Sequence, residues 1–157
     1  MRLWRIAAET RRYPATDLSG KGASMHPGRW NHESEAVVYC APTRAMAALE
    51  TAAHIDDAGL PLDRYLVAID VPPAVWRARL VLSVAELPVQ WDAIPAGMAS
   101  AAVGSRWIAD QTSAILLVPS VIVPEEFTAL INPGHPQAAT LTATAVRRFE
   151  YNRLFRG

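Results

Sequence analysis

The clearest pattern in the chain is the alternation over residues 65–71, YLVAIDV, in which β-branched or aromatic side chains occupy every second position and which two prolines follow. A period of two places successive side chains on opposite faces, as in a β-strand that is buried on one side. Residues 3–7 alternate in a similar way, and residues 36–41 form a β-branched and aromatic run that ends at Pro42. All three stretches therefore predict strands. In the last of them Tyr39 is either a core aromatic or a ring presented to the floor of a pocket.

A helical period follows directly after the third of these stretches. Residues 43–57 predict a helix that Thr43 caps and Gly59 stops. At about 100° per residue, Glu50 borders the apolar stripe of this helix, and His54 follows one turn later on the same side. A carboxylate at that border reaches solvent, pairs with His54 or faces a buried site.

The second half of the chain predicts further strands and one more long helix. The expected elements are a helical turn and a strand within 75–83, a helix over 98–111, and strands over 114–118, 121–123, 128–132 and 141–151. Pro119 interrupts the apolar pattern directly before Ser120. Ser120 is therefore either a structural hydroxyl that backbone hydrogen bonds hold, or a hydroxyl presented into a cavity. Without a G-x-S-x-G elbow, an activated serine nucleophile is not expected.

The segment from residue 9 to residue 31 is long, rich in Gly, Ser and Pro, and without clear periodicity. Loops of this length inside a compact domain tend to be functional or disordered. The segment ends in GRWN, and the guanidinium of Arg29 has the planar fork that binds a phosphate bidentately. The other interpretation is a surface loop in which Arg29 pairs with a carboxylate and Trp30 fills the core.

Composition narrows the class of protein. The 157 residues are 51% apolar and 19% charged, which indicates one globular domain over residues 1–157. Fifteen basic and fifteen acidic side chains give a net charge of zero, so general binding to nucleic acid is disfavoured. The single cysteine excludes an internal disulfide, and the scattered histidines predict no metal site. The N-terminus lacks a signal-peptide pattern and no apolar run reaches the roughly 20 residues that span a bilayer, so a cytoplasmic protein is expected.

Five motifs occur in a characteristic order: DLSGKG, GRWN, VVYCA, MAALE and VPSVIVPEEFTALINPGHP. They are spread over residues 17–136, and over most of its length the chain resembles the RES-domain family, the toxin half of bacterial Xre/RES toxin–antitoxin pairs. The family is named for an arginine, a glutamate and a serine, and these map to Arg29, Glu50 and Ser120. Thr128 departs from the asparagine expected in many members, but it retains a hydrogen-bonding side chain.

The resemblance implies a fold, a substrate and a partner. The implied fold is α+β and similar to ADP-ribosyltransferases, with mostly antiparallel, twisted sheets and flanking helices around an NAD cleft. The implied activity is cleavage of the nicotinamide–ribose bond of NAD, with no metal required. The acceptor stays open between water, phosphate and a side chain of a host protein. The implied partner is an Xre-like helix-turn-helix antitoxin that binds the toxin.

The chemistry of that bond suggests a role for each candidate residue. Loss of neutral nicotinamide leaves an oxocarbenium-like ribose, which needs a negative group beside the sugar and cations on the pyrophosphate. We expect Glu50 to stabilise the ribose and Arg29 to bind a phosphate. Tyr39 is expected to stack on nicotinamide, Ser120 to fix the ribose or the carboxamide, and His54 to orient Glu50 or to bind substrate.

Three functions are compatible with these residues. The first is a toxin that depletes NAD by hydrolysis or phosphorolysis and so arrests growth. The second is a mono-ADP-ribosyltransferase that uses the same residues to modify a host protein. The third is a non-catalytic module that binds a nucleotide or only its antitoxin.

Overall fold

The computed structural model of the protein describes residues 1–56 and 58–155. The strands are β1 (Arg2–Ala8), β2 (Val38–Cys40), β3 (Arg64–Asp70), β4 (Leu80–Val81), β5 (Ile115–Pro119), β6 (Phe127–Ile131) and β7 (Thr142–Phe149). The α-helices are α1 (Lys21–Met25), α2 (Arg44–Ala52), α3 (Pro73–Arg77), α4 (Met98–Asp110) and α5 (Asn152–Phe155). Two 3₁₀ turns, Val84–Glu86 and Pro136–Thr140, complete the described elements. None of the helices among these residues is long and apolar enough to cross a membrane.

The strands form two sheets. In the first, β3 lies between β1 and β7 and pairs antiparallel with both. In the second, the order is β2-β6-β5-β4, and only the short β4 pairs in parallel. Trp4 and Ala41 join the two sheets, because the backbone N–H of each donates to the carbonyl of the other, at 2.8 and 2.7 Å. The expected α+β class with mostly antiparallel sheets is confirmed.

The core lies between the sheets and continues under the helices. Apolar side chains of β1 and β3 meet those of β5 and β6 in a cluster that includes Leu3, Ile69, Ile115 and Ile131. Each such side chain contributes about 1.5–3 kcal/mol through removal from water. Further clusters lie under α2 and around three tryptophans, Trp30, Trp91 and Trp107.

Strand β2 divides its side chains between two of these clusters, as its period-two pattern predicts. Val38 and Cys40 enter the cluster between the sheets, whereas Val37 and Tyr39 pack with the tryptophans. The ring of Tyr39 therefore lies on the side of the sheet that carries the glycine-containing loop.

The predicted first long helix begins where expected but ends early. Thr43 caps α2 by accepting a hydrogen bond from the N–H of Met46 at 3.1 Å, which confirms the predicted cap. The helix ends at Ala52. The N–H groups of the residues that follow Ala53 donate to the carbonyls of Thr51 and Ala52, only three residues back, so the α-helical pattern of hydrogen bonds stops there. Asp57, the predicted end, lies outside the described residues. Gly59 adopts a φ of 111° but lies beyond the helix.

Two other sequence predictions are wrong. Residues 121–123 do not form a strand; they form a turn that joins β5 to β6. The turn is closed by the N–H of Ser120, which donates to the carbonyl of Glu126 at 2.9 Å. The loop over residues 9–31 is also not wholly irregular, because it contains α1.

Candidate active site

A cleft of about 1120 Å³ opens between four parts of the chain: the glycine-containing loop over residues 9–31, β2, α2 and the start of α4. Four of the predicted site residues, Arg29, Tyr39, Glu50 and His54, line this cleft. Ser120, the remaining one, is only 1% exposed and lies behind Glu50. The structure thus brings the predicted residues together around one cavity, although they occur on four separate segments of the chain.

The carboxylate of Glu50 is held by two hydroxyl groups, one directly after β5 and one on β6. Its Oε1 accepts a hydrogen bond from Ser120 Oγ at 2.5 Å and a second from Thr128 Oγ1 at 3.1 Å. The carboxylate is half-buried at the border of α2, where the helical pattern placed it. Because both donors bind the same oxygen, Oε2 is the carboxylate atom left to meet a ligand.

Ser120 is a hydroxyl fixed by the backbone. Its Oγ accepts from the N–H groups of Ile122 and Val123, at 3.1 and 3.2 Å. A hydroxyl has one proton to donate, and here that proton goes to Glu50. This corresponds to the first of the two alternatives raised for Ser120, with the addition that the fixed hydroxyl orients a carboxylate.

Arg29 binds backbone carbonyls in the segment that precedes α4. Its Nη1 donates to the carbonyls of Trp91 and Ala93, at 3.0 and 2.8 Å. In turn, Ser100 Oγ donates to the carbonyl of Arg29 at 2.9 Å. None of the ion pairs among the described residues involves Arg29, so its charge is not cancelled by a carboxylate within salt-bridge distance. Arg29 therefore holds one wall of the cleft and also presents a cation to it.

Tyr39 organises the loop that carries Arg29. Its hydroxyl donates to Asn31 Oδ1 at 2.7 Å and accepts from the N–H of Trp30 at 2.9 Å. Burial raises the pKa of Tyr39 well above its ordinary value, so the phenol remains a donor throughout the neutral range. A Cβ at Gly28 would lie 2.6 Å from the ring, so only glycine fits against Tyr39 at that point.

We expect Tyr39→Phe to lower the free energy of unfolding by about 1–3 kcal/mol, because the change leaves the N–H of Trp30 without its partner and removes one of the two donors to Asn31 Oδ1. Urea unfolding followed by circular dichroism measures this difference. Tyr13→Phe is the matched control, since the Tyr13 hydroxyl has no hydrogen bond to any of the residues described. Equal stability of the two variants would show that the Tyr39 hydroxyl does not brace the loop.

His54 lies exposed just beyond the end of α2 and lines the same cleft. Its backbone N–H donates to the carbonyl of Thr51 at 3.1 Å. Within the described parts of the chain, the partners of the Glu50 carboxylate are Ser120 and Thr128, and not His54. His54 is thus placed to meet a ligand and does not orient Glu50 in this structure.

The sequence prediction missed Arg5, which also lines the cleft. Its Nη1 donates to the carbonyl of Asp17 at 3.0 Å, while its buried Nε has no hydrogen-bond partner among the described residues. Burial lowers the pKa of Arg5, opposed by the nearby Cys40 and Asp17. A buried cation without a carboxylate partner is costly unless an anionic ligand compensates it. A signal was present in the sequence, because Arg5 shares one face of the predicted strand with two apolar residues, Leu3 and Ala7.

A search of the described residues finds no group of three or more His, Cys, Asp or Glu side chains placed to hold a metal ion. The charged groups that face the cleft are instead suited to a ligand that carries both phosphate groups and hydroxyls. The arginines can bind phosphate oxygens, and the free oxygen of Glu50 can accept a hydrogen bond from a hydroxyl.

Comparisons with known proteins agree on the type of domain. The family described as the RES domain matches residues 2–152. The chain is 52% identical over 149 residues to a protein of Sphingobium sp. strain YBL2 named Prs ADP-ribosylating toxin, covering 95% of this chain and 92% of that protein. It is 35% identical over 140 residues to a Toxin Res of Yersinia enterocolitica, covering 89% of each.

Among solved structures, a chain of the M. tuberculosis MbcT–MbcA toxin–antitoxin complex has a similar fold. The TM-score is 0.65 at 18% sequence identity, and the match covers 93% of this chain and 84% of that one. At this identity the similarity concerns the fold alone.

Proposed function

The chain belongs to the RES-domain family, and from this premise we propose that it is the toxin of a toxin–antitoxin module and cleaves the nicotinamide–ribose bond of NAD. The observation that carries the proposal is the Glu50 carboxylate, which two hydroxyls hold by one oxygen at the wall of a cleft lined by two arginines. This arrangement combines a negative group for a sugar with positive groups for a pyrophosphate.

The leaving group explains why a fixed carboxylate matters. Nicotinamide departs as a neutral molecule and takes both electrons of the C–N bond, so positive charge spreads over C1 and the ring oxygen of the ribose. A preorganised carboxylate stabilises that developing charge more than it stabilises the ground state, which lowers the barrier. In this proposal Oε2 of Glu50 accepts a hydrogen bond from a ribose hydroxyl and lies beside the charge.

The pyrophosphate is assigned to the arginines. Arg5 lines the cleft and, among the described residues, hydrogen-bonds only through its Nη1, and Arg29 retains donors beyond the Nη1 that binds two carbonyls. Arg29 keeps its proposed role as a phosphate ligand, and we assign the same role to Arg5. Tyr39 and His54 remain proposed contacts for nicotinamide and substrate, respectively, because both line the cleft.

We expect Arg5→Met to raise the KM for NAD by about 10- to 100-fold, the loss typical of one charge-assisted hydrogen bond. The same change should leave the free energy of unfolding equal or higher, because Arg5 has no salt bridge among the described residues, and replacing such a buried charge by an apolar side chain of similar volume is often neutral or stabilising. Steady-state kinetics and urea unfolding measure the two effects. Arg2→Met, at an exposed position of β1, is the control. An unchanged KM for Arg5→Met excludes Arg5 from the phosphate site.

The acceptor distinguishes two versions of the activity. In hydrolysis or phosphorolysis, the oxygen of water or phosphate bonds to C1 and its proton is released to solvent. In transfer, a side chain of a host protein takes that place. Transfer to a host protein is the alternative to NAD depletion. It is supported by the name of the Sphingobium relative, an ADP-ribosylating toxin that is 52% identical to this chain.

One assay separates these activities. Purified protein is incubated with NAD in phosphate-free buffer, in phosphate buffer and with cell lysate, and free nicotinamide is followed by NMR. Release in the first condition identifies hydrolysis, and release that requires phosphate identifies phosphorolysis. Release that requires lysate and labels a protein identifies transfer. If no condition releases nicotinamide, the enzymatic proposals fail and a non-catalytic binding module is left.

A toxin of this kind needs an inhibitor. The solved complex of a protein of similar fold contains an antitoxin, so we propose an antitoxin partner here, of the Xre-like helix-turn-helix type. Co-expression of such a protein should restore growth to cells that the toxin arrests. The purified complex should release nicotinamide more slowly than the free toxin.

A further inference from the structure

Thr128 lies on β6 and pairs in register with Val118 of β5. Its side chain is 7% exposed and lines the cleft. The hydroxyl donates to Oε1 of Glu50 at 3.1 Å, across the space that separates β6 from α2. Neither the motif that names the family nor the roles proposed above include this residue.

The direction of the hydrogen bonds around Glu50 is fully defined. Ser120 Oγ accepts from two backbone N–H groups, which leaves its single proton for Oε1. Thr128 supplies a second proton to the same oxygen. A carboxylate oxygen has acceptor sites for two donors, so both sites of Oε1 are occupied. Oε2 accepts no hydrogen bond from any of the described residues.

A single donor would leave the carboxylate free to swing about the Ser120 bond. The side chain of Glu has three rotatable bonds, and a half-buried position restricts them only in part. The second donor comes from a different strand and approaches from a different direction. Two donors on Oε1 therefore fix the carboxylate plane and the direction in which Oε2 points.

We propose that Thr128 is a positioning residue, which together with Ser120 fixes Oε1 of Glu50 so that Oε2 meets the ribose of NAD. This inference rests on the proposed function of the cleft. Thr128 acts through Glu50, so it contributes mainly to the step in which charge develops on the ribose. Loss of its hydroxyl affects kcat much more than the KM for NAD.

The test compares Thr128→Val, which keeps the shape of the side chain, with Thr128→Ser, which keeps the donor. We expect Thr128→Val to lower kcat for nicotinamide release by about 10- to 100-fold and to leave KM within about two-fold. Thr128→Ser should recover kcat to within about three-fold of the wild type. Thr144→Val, at an exposed position of β7, is the matched control and should keep the wild-type kcat.

Three results would overturn the proposal. A Thr128→Val variant with wild-type kcat shows that the hydroxyl is dispensable. A loss confined to KM shows that Thr128 contacts the substrate instead of orienting Glu50. Failure of Thr128→Ser to restore kcat, in a protein that unfolds at the wild-type urea concentration, shows that the methyl group and not the donor matters. If Thr128→Val does not fold, Thr128→Ala is compared with Thr128→Ser in the same way.

A double-mutant cycle separates this inference from the proposed function. The shift in the urea midpoint caused by Thr128→Val is measured in the wild type and again in Glu50→Ala. A larger shift in the wild-type background supports the bond between Thr128 and Glu50, even if no condition gives nicotinamide release. Equal shifts in both backgrounds overturn the proposal, whatever the activity of the protein.

Discussion

Replacing Glu50 by glutamine lowers the rate of nicotinamide release by about 100- to 1000-fold, the effect typical of removing one preorganised group that stabilises transition-state charge. Glutamine has the shape of glutamate, and its carbonyl oxygen can still accept from Ser120 and Thr128. The cleft therefore keeps its geometry and loses one negative charge beside the ribose. Single-turnover measurements with saturating NAD report the chemical step directly.

The control for Glu50→Gln is Glu125→Gln, in the exposed turn between β5 and β6. It removes the same charge at a residue that does not line the cleft, and it should keep the wild-type rate. Circular dichroism and urea unfolding should show both variants folded. Full turnover in Glu50→Gln would mean that the charge at this position plays no part in breaking the bond, and the mechanism proposed for the cleft would then be wrong.

Local patterns predicted the main elements, because β-branched and aromatic runs favour strands and a capping side chain marks the start of a helix. Strands β1 and β3 form where predicted, although both strands bury side chains on both faces, and Thr43 caps α2 as its side chain suggests. Local patterns do not decide the structure of residues 121–123. Three apolar residues between two prolines fit a strand or a turn equally well, and the choice depends on the hydrogen bonds of Ser120.

The site shows a similar division between local and long-range information. The glycine-rich loop and the helical border position identified Arg29 and Glu50, but their partners are distant in sequence. The carbonyls that Arg29 binds belong to a segment without periodicity, and Thr128 reaches Glu50 only because β6 lies beside β5. Arg5 was missed because the pattern of β1 does not tell which of its two faces is buried, and the structure buries Leu3 and Ala7 on the face that carries Arg5.

The contact between α4 and the Arg29 loop is another feature that the sequence does not reveal. At Gly104 an added Cβ would lie 1.6 Å from the carbonyl oxygen of Trp30, so the backbones of the helix and the loop touch directly. Trp30 is 2% exposed and stacks on Trp91 with ring centroids 6.1 Å apart. Ser100 of α4 also donates to the carbonyl of Arg29, so the loop cannot move away from the helix without breaking this hydrogen bond.

Gly104→Ala should therefore lower the free energy of unfolding by about 3 kcal/mol or more, the upper range for overpacking a core. The gain of about 1 kcal/mol that alanine brings to a helix interior is too small to offset this. Gly22→Ala is the matched control: Gly22 is also helical, its added Cβ meets nothing within 4 Å, and we expect a gain of about 0.5–1 kcal/mol. Urea unfolding of both variants measures the opposite signs. If both variants gain stability, α4 does not pack against the loop, and the wall that Arg29 builds has another support.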